Sequence, residues 1–421
     1  RVYDAASGNL VIGGSIAGTG GLTKNGSNKL TLSANNTYSG DTTINAGTLE
    51  IASTGLLGGG SYSGNIMNTG AFLIGSNSNQ TLSGVISGIG ALTKNGTGTL
   101  TLTGSNNYSG GTTLNSGTLV IGNAAAAGTG TITQTSGSSL LKIDTTGTIT
   151  NDMSVFNVLA SQSATLSGAI TVNNATWDID TGDTLTISGA VSGNGGVTKN
   201  GDGTLTLNGT NTYNGSTVVN AGTLNAASAG ALGSNNTVQV NGGTLLVSAD
   251  DAINGTQITL NGTSAMVATL SFNSNYNGTI QKLTLSANSI IDLGPANTVA
   301  LAFADLAMGL YNTLSIYNWS GTTKWGTTYG NGTDTIFFGA GNYTLANVKF
   351  YSGAVGSNSF VGSGFEVMPQ TTWEPGLDGH YIIPVPEPET YATGLLLLLG
   401  GAWWFYRKNR RAKDEGLRAE S

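Results

Sequence analysis

Cysteine is absent from the 421-residue chain, and histidine occurs once, at His380. The first absence excludes disulfide staples and any thiolate nucleophile or thiolate metal site. The second excludes a histidine cluster and any repeated serine–histidine pairing. Charge is scarce as well, at 9% of residues. Of the 15 basic residues, Arg407, Lys408, Arg410, Arg411, Lys413 and Arg418 follow Tyr391, beside three acids, so the first 390 residues carry nine basic and nineteen acidic groups. A body of that sign argues against nucleic acid as a partner. No methionine or charged-then-apolar leader stands at Arg1, which reads as a removed signal peptide or a trimmed start.

What fills the chain is glycine, at 66 positions, together with serine, threonine and asparagine. Disordered chains share some of this composition, but they are usually rich in charge and poor in β-branched residues. Here the 38% hydrophobic residues arrive as alternation of Leu, Ile and Val with Thr. That period of two belongs to half-buried strands, with Gly and Asn serving the turns. Apart from a brief "NAASAGAL", no helical period appears before residue 390.

One sentence of sequence recurs. "LTKNGSNKLTLSANNTYSGDTTINAGTLEI", from Leu22 to Ile51, returns with Lys24, Lys94 and Lys199 in register, and with Tyr38, Tyr108 and Tyr213 at the same intervals. The turns at Asn45, Asn115 and Asn220 keep those intervals, as do Ile16, Ile86 and Val191 upstream. Three copies therefore span about 7–51, 77–121 and 182–225. "KLTLS", "TLTLT" and "TLTLN" are strands, and "TTINAGTLEI" is a strand, a short turn and a strand. Strand–turn–strand units without helices bury their faces only against neighbouring units, which makes a solenoid. The expected fold is all-β, a parallel β-helix of roughly 20–25 residues per turn over residues 1–250. Seventy residues would be about three turns, so Lys24 and Lys94 would lie roughly 15 Å apart, able to share a face but not one substrate atom. The lysines read as solvated residues at strand-to-turn corners, with a spaced binding comb as the alternative. The tyrosines read as packing at the turn, with stacking on a sugar as theirs.

These residues resemble the autotransporter-associated β-strand repeat, most fully in "GIGALTKNGTGTLTLTGSNNYSGGTTLNSGTLVI" from Gly88. The resemblance implies a right-handed β-helix carried on bacterial surfaces.

Beyond the repeat, residues 251–370 read as degenerate turns and a C-terminal cap, with Trp319, Trp325, Phe337, Phe338 and Phe350 extending or covering the core. Residues 371–390 form a linker stiffened by Pro384, Pro386 and Pro388. The uncharged run 391–406 holds Leu395, Leu396, Leu397, Leu398, Leu399, Trp403 and Trp404, and reads as a single transmembrane helix of about 24 Å. Arg407, Lys408, Arg410 and Arg411 would stop it on the cytoplasmic side, in a basic tail over 407–421. Proline-glutamate-proline, an apolar helix and a basic end together resemble a PEP-CTERM sorting signal, with Val385, Pro386, Glu387 and Pro388 as the recognised motif. That resemblance implies an exosortase as partner, transient or permanent anchoring in the inner membrane with the body periplasmic, and a Gram-negative host that makes exopolysaccharide.

Enzymatic alternatives find few candidates. The β-helix fold also hosts polysaccharide lyases, in which the base is commonly an arginine, and outside the tail only Arg1 exists. Asp250 and Asp251 are an adjacent carboxylate pair, read as a solvated turn rather than an acid–nucleophile pair. "DIDTGD" (Asp178, Asp180, Asp183) lacks the full ligand series of a calcium loop. Asn-Gly-Thr/Ser triplets, as at Asn95 and Asn208, arise from composition. No cofactor, metal or catalytic residue is expected. The reading is a non-enzymatic, exported surface or matrix protein, adhesive or associated with exopolysaccharide. Its alternative is a polysaccharide-active enzyme on the same rod. A conventional autotransporter passenger would need a C-terminal outer-membrane barrel, where this chain has one apolar helix.

Overall fold

The computed structural model describes residues 1–318 apart from Ala6, Asn236, 295–298 and 309–311, and beyond them the strands Thr335–Ala340, Val348–Tyr351, Phe360–Ser363, Phe365–Pro369 and His380–Pro384. Strands dominate, and among the described residues the helical geometry is confined to the turn Gly58–Gly60. "NAASAGAL" is the end of a strand followed by turns.

Successive turns of the chain stack in parallel. Leu22 pairs with Thr42, Lys24 with Ile44, and Ile44 with Asn68, steps of 20 to 24 residues, and through Tyr317 the steps range from 17 (Met153 to Ile170) to 25 (Ser289 to Leu314), so some turns are shorter than the expected 20–25. The register fixes three faces. Leu22–Asn25, Thr42–Ile44, Ile66–Asn68 and Ile86–Ser87 stack on the first. Lys29–Leu32, Thr48–Ser53, Ala71–Ser76, Ala91–Lys94, Thr112–Leu114 and Ile132–Gln134 stack on the second. Gln80–Leu82, Thr99–Leu102, Thr118–Ile121 and Leu140–Ile143 stack on the third. The first face loses its strands after Ile86–Ser87 and regains them at Thr148–Ile149, Ala164–Leu166 and Thr184–Ile187. About 15 such turns give a solenoid of roughly 70 Å at ~4.8 Å per turn.

Alternation within each strand sends every second residue inward. Leu30, Leu49, Phe72 and Leu92 form one such column, and Leu100, Leu119, Leu141 and Val158 another. All are buried within a single apolar core running from Ile16 to Ile316. Each buried Leu or Ile contributes about 1.5–3 kcal/mol, which no isolated turn could gather alone. The corners close only because glycine takes a left-handed conformation there. Gly117 has φ +72°, and a Cβ on it would stand 2.5 Å from the Gly96 carbonyl oxygen and 2.8 Å from the Lys94 Nζ. Gly117→Ala is therefore expected to cost at least 2 kcal/mol, read as a lowered urea midpoint.

Stacking changes sense at the far end. Phe360–Ser363 pairs antiparallel with Val348–Tyr351, and His380–Pro384 pairs antiparallel with both Thr335–Ala340 and Phe365–Pro369. Trp319, Trp325, the sorting motif Val385–Pro388, the apolar run 391–406 and the basic stop lie outside the described residues. So do the side chains of Phe337, Phe338 and Phe350. Among the described residues no helix is long and apolar enough to cross a membrane.

Candidate functional site

The repeated lysines are inside the solenoid. Lys24, Lys94 and Lys199 each have no solvent-exposed surface, which overturns the reading of solvated corner residues and of a binding comb. The cause is the strand period: Leu22 and Lys24 are two residues apart, so both side chains point to the core. At the corner beyond, backbone carbonyls of the turn converge and need donors. Lys24 Nζ donates to Asn25 O (2.5 Å), Gly26 O (2.7 Å) and, one turn up, Ala46 O (3.1 Å). Lys199 repeats the pattern with Asn200 O, Gly201 O and Ala221 O at 2.5, 2.7 and 3.3 Å. Lys94 donates to Gly96 O and to Ser116 O. Each ammonium thus pins two successive corners together, satisfying buried acceptors that would otherwise be orphaned. Where the corner lacks lysine, other polar side chains fill it. Gln134 accepts the amides of Phe156 and Asn157 and donates to Ser139 O.

Burial pushes these amines down from 10.5, to about 8 for Lys94 and Lys199; for Lys199, Asp178 and Asp202 oppose the shift, as Asp4 does for Lys24. The buried tyrosines move the other way: desolvation raises Tyr38, Tyr62, Tyr108, Tyr213 and Tyr276 above their ordinary 10.0. Between about pH 8 and 10.5 the unfolded chain holds lysine protons that the folded chain has released, so stability rises with pH there. The gain is about 1.4 kcal/mol per pH unit inside the window for each of Lys94 and Lys199, and Lys24 adds to it in the same direction. Above pH 10 the unfolded tyrosines ionise while the folded ones stay protonated, and stability falls. Melting temperature against pH is therefore expected to peak between about pH 9 and 10, rather than near neutrality.

Two further repeated groups complete the unit. Tyr38, Tyr108 and Tyr213 are buried, and each hydroxyl meets the threonine four residues on, Thr42, Thr112 and Thr217, at 2.8, 2.5 and 2.7 Å. They are packing residues, and none offers a ring to a sugar. Asn36, Asn106 and Asn211, missed in the sequence, are buried beside them. Their Oδ1 atoms accept the amides of Ile16, Ile86 and Val191 at 3.0, 2.7 and 2.8 Å. Their Nδ2 groups donate one turn up, to Leu56 O (3.1 Å), Ala126 O (2.5 Å) and Ala231 O (2.6 Å). Each asparagine therefore replaces a missing strand, tying three consecutive turns. The alignment of Ile16, Ile86 and Val191 seen in the sequence reflects this clamp.

The register also separates the copies. Lys24 stacks with Ile44 on the first face, Lys94 with Ile74 and Leu114 on the second, and Lys199 with Trp177 and Val219 on the third. The interval of 70 is thus three turns and one side, and the copies do not share a face. At the corners Asn45, Asn115 and Asn220 donate amides to Asn25, Asn95 and Asn200 Oδ1 at 2.8, 2.6 and 2.8 Å. Asn241 extends the last of these ladders onto Asn220 at 2.9 Å.

The carboxylate candidates do not converge. Asp250 Oδ1 accepts the amides of Asp251 (3.2 Å) and Asn277 (3.1 Å), while Asn254 donates to Asp251 Oδ1 (3.4 Å), as a solvated turn requires. Asp178 and Asp180 are exposed, and Asp183 takes a hydrogen bond from Ser163. Among the described residues no three acids or histidines gather as a metal site would need.

Comparison with known proteins agrees with this unit. Residues 22–51, 92–121 and 197–226 match the passenger-associated-transport-repeat family. Each match opens two residues before a caged lysine and includes the clamp asparagine and its tyrosine. The chain is also 37% identical over 150 residues to "Adhesin BmaC autotransporter" from Brucella suis biovar 1 (strain 1330), with 28% of this chain and 4% of that protein covered. This chain therefore spans only a small part of that relative. No solved structure matches. The fold and the repeat together describe a parallel β-solenoid that carries three matches to this repeat family.

Proposed function

We propose that the protein is a non-enzymatic surface rod that adheres through its outer faces. The observation that supports this most is the direction of the repeat: its lysine, tyrosine and clamp asparagine all serve the interior. What recurs at the surface is columns of uncharged threonine, serine and asparagine, suited to many weak contacts along a rod rather than one pocket. The likeness to an adhesin points the same way. Export would end in sorting by an exosortase at Val385, Pro386, Glu387 and Pro388, with the helix 391–406 held in the inner membrane until release and the body destined for the cell surface or exopolysaccharide matrix.

The test is the mass of the C-terminus in protein recovered from the surface of cells that make it. A terminus between Val385 and Thr390 is the expected result. An intact tail ending at Ser421, found only with inner membrane, would contradict sorting and withdraw the surface role.

A further inference from the structure

An Asn–Gly step can modify itself. The glycine nitrogen gives up its proton and attacks the side-chain amide carbon, the amide nitrogen leaves as ammonia, and water opens the resulting succinimide to aspartate or isoaspartate. Glycine allows this most readily because no Cβ shields its nitrogen. The ring closes only where the glycine N–H is uncommitted and the backbone can swing toward the side chain.

Ten such steps lie among the described residues, and stacking holds most of them. The N–H groups of Gly96, Gly195, Gly215, Gly242 and Gly255 donate to the carbonyls of Ile74, Val172, Gly195, Val219 and Thr279, at 3.3, 3.3, 3.0, 3.4 and 2.7 Å. Asn277 and Gly278 lie within a strand, paired with Ala300 and Leu301. At Asn25 and Asn200 the next asparagine of the corner ladder holds the side-chain oxygen, and the carbonyls of Gly26 and Gly201 hold the enclosed lysines. Gly209, after Asn208, is wedged between turns. A Cβ on it would lie 2.4 Å from the Gly189 carbonyl oxygen, and its own carbonyl takes the Ser228 hydroxyl at 2.9 Å.

Asn261 differs on each count. It ends the ladder that runs from Asn200 through Asn220 and Asn241, and its amide reaches Asn241 Oδ1 only at 3.5 Å. Its own Oδ1 receives no donor, and the Gly262 N–H, though buried, has no acceptor. A buried N–H without an acceptor is rare in folded chains. A Cβ on Gly262 would meet only the returning arm of its own loop, the Ala268 nitrogen at 2.4 Å and the Met266 oxygen at 2.6 Å. That loop is exposed from Thr263 to Val267 and closes through two bonds, Thr263 N to Met266 O (2.8 Å) and Met266 N to Thr263 Oγ1 (3.1 Å). It can open without unstacking a turn, which frees the glycine nitrogen to reach the side-chain carbon.

We propose that Asn261 is a self-modification site, converted through a succinimide with Gly262 to aspartate and isoaspartate, while the stack protects the other described Asn–Gly steps. Water is the one co-reactant and ammonia the leaving group. The product sets a carboxylate against Asn241 Oδ1 where an amide donated, which removes the last step of the ladder. In isoaspartate the main chain also runs through the former side chain and gains one carbon, at the base of the loop that exposes Met266 and Val267.

Incubating the folded full chain in mildly alkaline heavy-oxygen water, then digesting it in ordinary water at acid pH, tests this. Opening of the succinimide during incubation leaves heavy oxygen at the converted residue, whereas conversion during digestion leaves none. A parallel incubation in urea gives the rate of each step in the unfolded chain, and a melting curve verifies that the first sample stays folded. Relative to its own unfolded rate, Asn261 should take up label at least about fivefold faster than every other described Asn–Gly step, Asn208 included. Its uptake should also rise with pH, because the attacking nitrogen must lose its proton. Asn261→Gln should remove the label from this peptide and leave the other steps as they were, since the larger ring closes far more slowly. A smaller lead at Asn261, or an unlabelled Asn261 once the unfolded chain is fully converted, would overturn the proposal.

Discussion

Replacing Lys94 by methionine is expected to destabilise the solenoid by about 2–4 kcal/mol, although methionine is apolar and nearly as long. The site is closed to solvent, and its occupant must donate to the carbonyls of Gly96 and Ser116. Methionine offers no donor, so both acceptors stay dry and unpaired, at about 1–3 kcal/mol each. Removing the cost of a buried charge offsets part of this. Because each turn touches only its neighbours, the damage should stay local. Hydrogen exchange should accelerate between Ala91 and Ser116 and remain slow in the copy at 197–226. Lys29→Met, on a half-exposed surface pair, should change the urea midpoint by no more than about 0.5 kcal/mol equivalent. Equal effects at the two lysines would refute the corner clamp.

Asn106→Leu is expected to be more costly still, at about 3–5 kcal/mol. Leucine has the same branched side chain of four heavy atoms, although it is bulkier, so shape alone would predict a milder change. The amide group, however, receives the Ile86 N–H and gives to the Ala126 carbonyl, where the first face has no strands. Leucine strands both backbone groups in a buried gap. Asn106→Asp should be no better, because a carboxylate would face the Ala126 carbonyl oxygen in place of a donor. Equilibrium urea unfolding of the three proteins checks the order: unaltered, then both variants well below it.

Much of this architecture was legible before any coordinates. The alternation in "KLTLS" and "TLTLT", the short glycine-containing turns and the spacing of the copies were enough for parallel stacking, while the shortest turns, of 17 residues, fall below the 20–25 expected. The lysines were misread because a solvation rule was placed above the period. "LTK" puts Lys24 in phase with Leu22, and Leu22 is buried, so the alternation itself carried the answer. The clamp asparagines carried the same signal, two residues before a buried tyrosine in "NTY" and "NNY", but asparagine is so abundant here that one in phase does not stand out. Which face each copy occupies could not be read at all. An interval of 70 exceeds three turns by one side, and that remainder depends on the length of every intervening turn, including the 24-residue step from Ile44 to Asn68.

Amine acylation of the native full chain, followed by peptide mass spectrometry, tests the central claim that the repeat faces inward. Lys29, Lys142 and Lys282 should label rapidly, while Lys24, Lys94 and Lys199 should stay unlabelled until denaturant unfolds their turns. Labelling of all six at similar rates in the native protein would place the repeated lysines on the surface and reopen the repeat as a binding site.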